Sequence, residues 1–388
     1  MSRNKIAISA GECVEVHVRV LRAVGFLRCH AHGHTAYRLC VLAFTTLYLV
    51  QECVYAYVVR GDMNKLSRVM FLLLCHVTSL AKQIVFHLEA DEVDALIGAI
   101  DDPAFKVESP QAARLVEACK TRAWRVEAAY AGCAVVTCIL WFAFALLDRA
   151  HGHPVEFPFW SPVSTEPAYF FGPVLLYSYY VTTLVGIANT TADAFMATVL
   201  YLCQTQIKVL RMNLESLPER AWKVSQSTGK KFEATLDRLL VHSLHHYRHI
   251  TCVAESLQNI FGGAILVQFG IGGWILCMAA YKIVSLSVLS IEFASMTLFI
   301  FCILTELFLY CYFGTELSVE SSYIAESVYL MQWLFSGPRF RRSLVLVMER
   351  ARRPLRPRAA RLVPLSLETF LKILKSSYTF YAVLRQTK

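Results

Sequence analysis

Seven stretches of this chain stay apolar for about twenty residues each, the length a helix needs to cross the hydrocarbon core of a bilayer. They cover residues 37–59, 69–87, 128–147, 169–185, 261–283, 293–313 and 364–384. Backbone groups inside lipid must be satisfied within their own segment, so each stretch is expected to be an α-helix. Composition points the same way. The 388 residues are 56% hydrophobic and only 17% charged, whereas soluble domains carry about a quarter charged residues. The first six stretches are plainly apolar; the seventh is interrupted by Glu368, Lys372 and Lys375. No cleavable signal peptide is expected. Residues 1–36 hold Arg3, Lys5, Arg19, Arg22 and Arg28 without an apolar core and a small-residue cleavage site.

A net charge of +9 would suit nucleic acid, but its distribution argues for membrane topology instead. With seven spans, 28 of the 38 Lys and Arg fall in the N-terminal tail and in the second-to-third, fourth-to-fifth and sixth-to-seventh connections. The opposite loops hold Arg60, Lys65, Arg68, Arg149 and Lys282. By the positive-inside rule the N-terminus is expected in the cytoplasm and the C-terminus outside. The 13 cysteines sit mostly in or beside spans, and residues 148–168 contain none. They read as small buried hydrophobes rather than as an extracellular disulfide framework.

Between the spans, residues 151–167 carry four prolines among aromatics and read as an irregular cap over the third and fourth spans. Residues 89–127 are expected to be helical, with a turn at Pro103 and Pro110. Helices at 204–216 and 231–258 extend beyond the membrane as a cytoplasmic anchor, together with residues 314–363. No internal repeat divides the chain, so one integrated all-α domain is expected.

Several patterns carry less than they suggest. Asn189-Thr190-Thr191 is a formal glycosylation sequon, but topology places it toward the cytoplasm. His30, His32 and His34, and His242, His245, His246 and His249, have metal-like spacing without a carboxylate constellation, so packing histidines are expected. No metal, cofactor or enzymatic chemistry is expected, since no nucleophile–base pair, phosphate loop or zinc-protease motif is present. Asp148-Arg149 would lie outside the cell, which disfavours a G-protein-coupled receptor.

The seventh stretch has its own geometry. At 3.6 residues per turn, Glu368, Lys372, Lys375, Thr379, Val383 and Gln386 share one arc, and Phe370, Ile373, Leu374, Phe380 and Leu384 lie on the others. An ionisable group in mid-membrane costs about 2.5–3.5 kcal/mol on insertion scales. The stripe therefore faces either a bundle interior or an aqueous pore, and one stripe encloses a pore only when several chains surround an axis.

The run Tyr310-Cys311-Tyr312-Phe313-Gly314-Thr315-Glu316-Leu317, followed by Ala325-Glu326-Ser327-Val328-Tyr329 and Trp333, resembles the sixth-span exit of insect odorant receptors. The segment from Pro364-Leu365-Ser366-Leu367-Glu368-Thr369-Phe370 through Lys375-Ser376-Ser377-Tyr378 to Leu384-Arg385-Gln386 is similar to their C-terminal signature, and Arg352-Arg353-Pro354-Leu355 and His245-His246 fit as well. The resemblance implies a seven-span bundle and a tetrameric, non-selective cation channel gated by volatile ligands. It makes Val383 the gate and Thr379 and Gln386 pore-lining. The short second intracellular loop suits an odorant-tuning subunit partnered by the odorant co-receptor, in the plasma membrane of olfactory neuron dendrites. The nearest alternative is a gustatory-type channel; a G-protein-coupled receptor or transporter is more distant. The resemblance also places an odorant pocket in the outer half of the bundle. Its candidates are Met70 and Leu74 in the second span and Cys138, Trp141 and Phe142 in the third. Tyr177, Tyr180 and Val181 follow in the fourth, and Met296 and Phe299 in the sixth.

Overall fold

A computed structural model describes residues 9–29, 31–107, 109–152, 155–162, 167–284, 286–288, 290–334 and 336–386. All seven apolar stretches form helices over most of their length; Val59 and residues 364–366 lie outside them. In chain order the helices are α1 (Glu15–Ala23), α2 (His34–Val58), α3 (Met63–Leu88), α4 (Ala90–Ile100), α5 (Pro110–Ala150) and α6 (Ala168–Glu215). They continue with α7 (Leu217–Thr228), α8 (Phe232–Val284), α9 (Ile291–Ser322), α10 (Ile324–Leu330), α11 (Pro338–Ala351) and α12 (Leu367–Gln386). Among the described residues, six helices (α2, α3, α5, α6, α8 and α9) are long and apolar enough to cross a membrane. The twenty-residue α12 is not one of them, because its charged stripe lowers its hydropathy.

Local chemistry sets where these helices begin. Pro110 opens α5, where its missing N–H is no loss, and the Ser109 hydroxyl accepts from the Ala112 N–H at 3.1 Å. Ser290 caps α9 by accepting from the Phe293 N–H at 3.0 Å. At 1.5 Å per residue, the 48 residues of α6 and 53 of α8 run roughly 70–80 Å, more than twice the roughly 30 Å hydrocarbon core. Both must continue far beyond it. Their extensions pack with α7, α10 and α11 at one end of the bundle. There Arg211 pairs with Glu320 and donates to Ser327 Oγ at 2.9 Å, and Gln204 donates to Glu316 at 3.0 Å. The opposite end is covered by the loop after α5, whose Phe157 and Phe159 are buried against Tyr48 and Phe171. Pro154 and residues 163–166 of that loop lie outside the described set.

Glycine matters most where α12 is joined on. A Cβ at Gly314 would collide with the Leu365 carbonyl oxygen and lie 2.7 Å from Leu365 Cβ. One at Gly262 would lie 2.8 Å from the Ala360 nitrogen. These two positions let α9 and α8 touch the chain that enters α12. That chain forms a two-residue antiparallel hairpin, Arg358–Ala359 with Val363–Pro364. Ala360 and Arg361 turn it at φ 46° and 62°, positive at both central residues as tight hairpins require.

Helix α1 was not foreseen. Its apolar side, with Val18 and Leu21 buried, lies on α6, and His17 is fully buried beside Thr198 (3.4 Å) and Glu127 (3.7 Å). Burial pushes the His17 pKa down to about 4 from its ordinary 6.5. Between those values the unfolded chain binds a proton that the folded one refuses, so this contribution is complete above pH 6.5 and is lost as pH falls toward 4. From pH 7 to 5 the loss is on the order of 2 kcal/mol. Thermal unfolding in detergent at both pH values is expected to show this sensitivity reduced in His17→Gln.

Candidate functional site: a two-chambered cavity and an outward-facing polar helix

Cys138, Trp141 and Phe142 are spaced i, i+3, i+4 on α5, so they project from one side of the helix. Together with Met296 from α9 they line a cavity of about 170 Å³ under the cap loop. Phe71 and Leu72 of α3 and Tyr179 of α6 complete its walls, and Phe157 and Pro158 form its roof. The rings are in contact: Phe71 and Phe299 have centroids 5.1 Å apart, Trp141 and Phe299 5.9 Å. The rim is charged and internally paired, with Lys282–Glu292 at 3.1 Å and Lys65–Glu156 at 2.6 Å.

A second chamber of about 70 Å³ lies deeper. Leu72, Cys138, Trp141 and Thr182 line both chambers, so the two are adjacent along the bundle. The deeper one reaches His76, Phe299, Asn189 and Glu306.

Five of the ten sequence candidates line these chambers: Cys138, Trp141, Phe142 and Met296 the outer, Phe299 the inner, and Cys138 and Trp141 both. Met70, Leu74, Tyr177, Tyr180 and Val181 line neither. On α3 the side that faces the cavity carries Phe71, Leu72, Cys75 and His76, which displaces Met70 and Leu74. Tyr180 is 57% exposed on the outside of α6. Tyr177 donates to Gln51 at 3.0 Å, and Val181 is buried in the cluster around Tyr48 and Phe171. Tyr48 and Tyr179 are lining residues that sequence reasoning missed. The Tyr177–Tyr180 run pointed at the right segment of α6 but could not fix the helix rotation.

Beneath the inner chamber lies a polar core, also unforeseen. Lys82 of α3 is fully buried and donates to Asn189 Oδ1 at 2.9 Å, to Glu306 at 2.6 Å and to Asp193. The Tyr310 hydroxyl donates to Asp193 as well. This network ties α3, α6 and α9 together. It was hidden because the fourth span was expected to end at residue 185, whereas α6 continues through Asp193. The Asn189 sequon is therefore occupied by structure: Asn189 is 5% exposed in mid-helix.

The stripe on α12 does not face the interior of its own bundle. Glu368, Lys372, Lys375, Thr379 and Val383 are exposed, and Glu368 and Lys372 pair with each other at 2.7 Å. The other side of α12 packs on α8 and α9, with Phe370 edge-on to Phe308 and Phe380 stacked on Trp274 at 4.8 Å. Gln386 ends the helix, and its side chain lies outside the described set. As for the histidines, His246 bonds Gln206 at 3.1 Å and His249 the Ala99 carbonyl at 2.8 Å. Among the described residues no group of three potential ligands could hold a metal ion.

Comparison with known proteins places this architecture. Solved structures of the insect olfactory receptor OR5 from Machilis hrabei superpose on 97% of this chain and 98% of their own, at 16% identity. The form in complex with eugenol gives a TM-score of 0.83 and a second form 0.82. Odorant receptor Or1 of Anopheles gambiae is 20% identical over 362 residues, 89% of this chain and 86% of that protein. Odorant receptor 85c of Drosophila melanogaster is 25% identical over 197 residues, 51% of this chain and 49% of that protein. With several such relatives the match spans about half of the relative's length. The profile of the 7tm Odorant receptor family matches residues 62–378. The chain is a membrane protein that belongs to the 7tm Odorant receptor family.

Proposed function

We propose that this chain is the odorant-tuning subunit of a heteromeric, ligand-gated, non-selective cation channel. The observation that carries the reading is the outward stripe of α12. Its charges would cost about 2.5–3.5 kcal/mol each against lipid, and they turn away from their own bundle. Subunits arranged around an axis resolve the conflict by giving the stripe water. Val383 then forms the hydrophobic gate near the outer end, with Thr379 below it and Gln386 beyond it. The N-terminus is cytoplasmic, and the end formed by residues 204–258 and 314–363 is the cytoplasmic anchor. The cavity under the cap takes the odorant. Its aromatic, largely apolar walls suit a small volatile, and likeness to a receptor solved in complex with eugenol supports an organic ligand. The partner is the odorant co-receptor, and the setting is the plasma membrane of olfactory neuron dendrites.

The test is co-expression of this chain with and without the co-receptor while currents are recorded across an odorant panel. Odorant-evoked current that needs both subunits is expected. Robust current from this chain alone would overturn the partnership.

A further inference from the structure

We infer that the arginine-rich hairpin leading into α12 is a docking surface for anionic phospholipid headgroups of the cytoplasmic leaflet. The inference rests on the proposed orientation of the chain. It adds a lipid partner at the joint from which α12 starts.

Residues 350–367 hold six arginines (Arg350, Arg352, Arg353, Arg356, Arg358 and Arg361), no lysine and no acidic residue. All six are exposed. Among the described residues only Arg352 has an ion pair, with Glu349 at 3.4 Å. Topology alone would be served by lysine as well as arginine, anywhere in this connection. A run made of arginine alone is more specific, because the planar guanidinium meets phosphate oxygens with two parallel hydrogen bonds.

The segment is also held at a defined depth. Gln258 of α8 accepts from the Arg358 N–H at 2.8 Å, and Ser321 of α9 accepts from the Leu355 N–H at 2.9 Å. Gly262 touches Ala360, and Gly314 touches Leu365. These glycines adjoin Phe261, where the apolar run of α8 begins, and Phe313, where that of α9 ends. Two helices therefore place the hairpin at the edge of the hydrocarbon core, level with the headgroups. Four to eight basic residues immediately cytoplasmic of a span suit phosphatidylserine or a phosphoinositide.

The turn adds an apolar contact. Ala360 and Arg361 have positive φ, a conformation that glycine or asparagine takes with less strain. Arg361 is fixed there, its Nη2 donating to Asn259 Oδ1 at 3.0 Å. Beside it Leu362 is 71% exposed. Leucine and arginine side by side at a tip match the interface: the leucine enters the acyl boundary while the guanidinium stays with the phosphates. An acidic protein segment would also match the arginines, but the position at the end of two apolar runs favours lipid.

The test uses the complex with the co-receptor, purified in neutral detergent and titrated with fluorescent phosphatidylinositol 4,5-bisphosphate, with phosphatidylcholine as the neutral reference. Arg353→Gln/Arg356→Gln/Arg358→Gln removes three charges whose side chains make no hydrogen bond or ion pair among the described residues, so folding should be kept. Each basic charge near an anionic surface is worth roughly fivefold in affinity, and phosphoinositide binding is expected to weaken at least tenfold. Lys223→Gln/Lys230→Gln/Lys231→Gln removes the same charge near the α7–α8 turn, roughly 45 Å along α8 from Phe261, and should change binding less than about twofold. Inositol 1,4,5-trisphosphate, a headgroup without acyl chains, should compete at least tenfold more weakly than the lipid. Unchanged binding in the arginine variant, or equal loss in both variants, would overturn the inference. Equal competition by the soluble headgroup would replace lipid with a soluble phosphate and overturn it too. Loss of the co-receptor from the arginine variant, with phosphoinositide binding intact, would show that the surface faces a protein instead. An N-terminal epitope tag reached from outside intact cells would overturn the orientation and this inference together; a protected tag with unchanged lipid binding would overturn this inference alone.

Discussion

Lys82→Met is expected to be the most damaging single substitution in the bundle, at about 3–5 kcal/mol. Lys82 is the cation that lies between the Asp193 and Glu306 carboxylates, with Asn189 and Tyr310 filling the remaining positions. All of these groups are buried. Methionine matches the stem of lysine but removes its charge, leaving two carboxylates facing each other without water. The predicted result is little protein at the cell surface and a collapsed melting transition in detergent. A charge-free version of the same core provides the control. Lys82→Met combined with Asp193→Asn and Glu306→Gln should recover much of the loss, because the damage comes from unmatched charge rather than from a missing contact. Wild-type surface levels of Lys82→Met alone would show that the network does not hold the bundle together.

Gly314→Val should also be damaging, for a reason of space rather than charge. The first atom of any side chain at this position would strike the Leu365 carbonyl and lie 2.7 Å from its Cβ. Neither backbone can yield without moving the entry to α12. That entry is fixed nearby, since the Thr315 hydroxyl accepts from the Leu367 N–H at 3.0 Å and Thr369 donates to the Pro364 carbonyl at 2.8 Å. Overpacking of this kind typically costs about 1–3 kcal/mol, and here it falls on the joint between α9 and α12. Loss of odorant-evoked current together with a lowered melting temperature is the predicted outcome. Gly270→Ala, where an added Cβ meets nothing within 4 Å, should be close to neutral in the same assays. Equal effects at the two positions would remove the steric explanation.

The spans were legible in the sequence because hydropathy and helix length are one-dimensional properties. The family was legible because the Tyr310–Leu317 run is constrained by three dimensions at once. Tyr310 bonds Asp193, Gly314 admits Leu365, Thr315 holds Leu367, and Glu316 accepts from Gln204. Helix rotation was not legible. On α3 every position is apolar or small around residues 69–75, so nothing in the pattern separates Met70 and Leu74 from Phe71 and Leu72. On α5, where Cys138, Trp141 and Phe142 fall at helical spacing, half-buried neighbours still left a recognisable face. The polar core was the clearest omission. Lys82, Asp193 and Glu306 are ionisable groups inside apolar helices, the pattern that marks structural or functional centres in membranes. Their partnership could not be read, because they lie more than a hundred residues apart in sequence. Helix α1 was missed for a different reason. Its amphipathic stripe is only nine residues long and gains stability from α6 rather than from itself.

Cysteine accessibility measures directly which way α12 faces in the assembled channel. Thr379→Cys and Val383→Cys place thiols on the exposed stripe, whereas Ile373→Cys and Leu374→Cys place them on other faces of the helix, among residues packed against the core. Each would be co-expressed with the co-receptor and treated with a charged thiol reagent during odorant-evoked current, with the unsubstituted chain as reference. The prediction is rapid change of current at positions 379 and 383, faster at 383 when odorant is present, and no change at 373 or 374. Unaltered current at both stripe positions, with modification at 373 or 374 instead, would contradict the assignment of α12 to the pore.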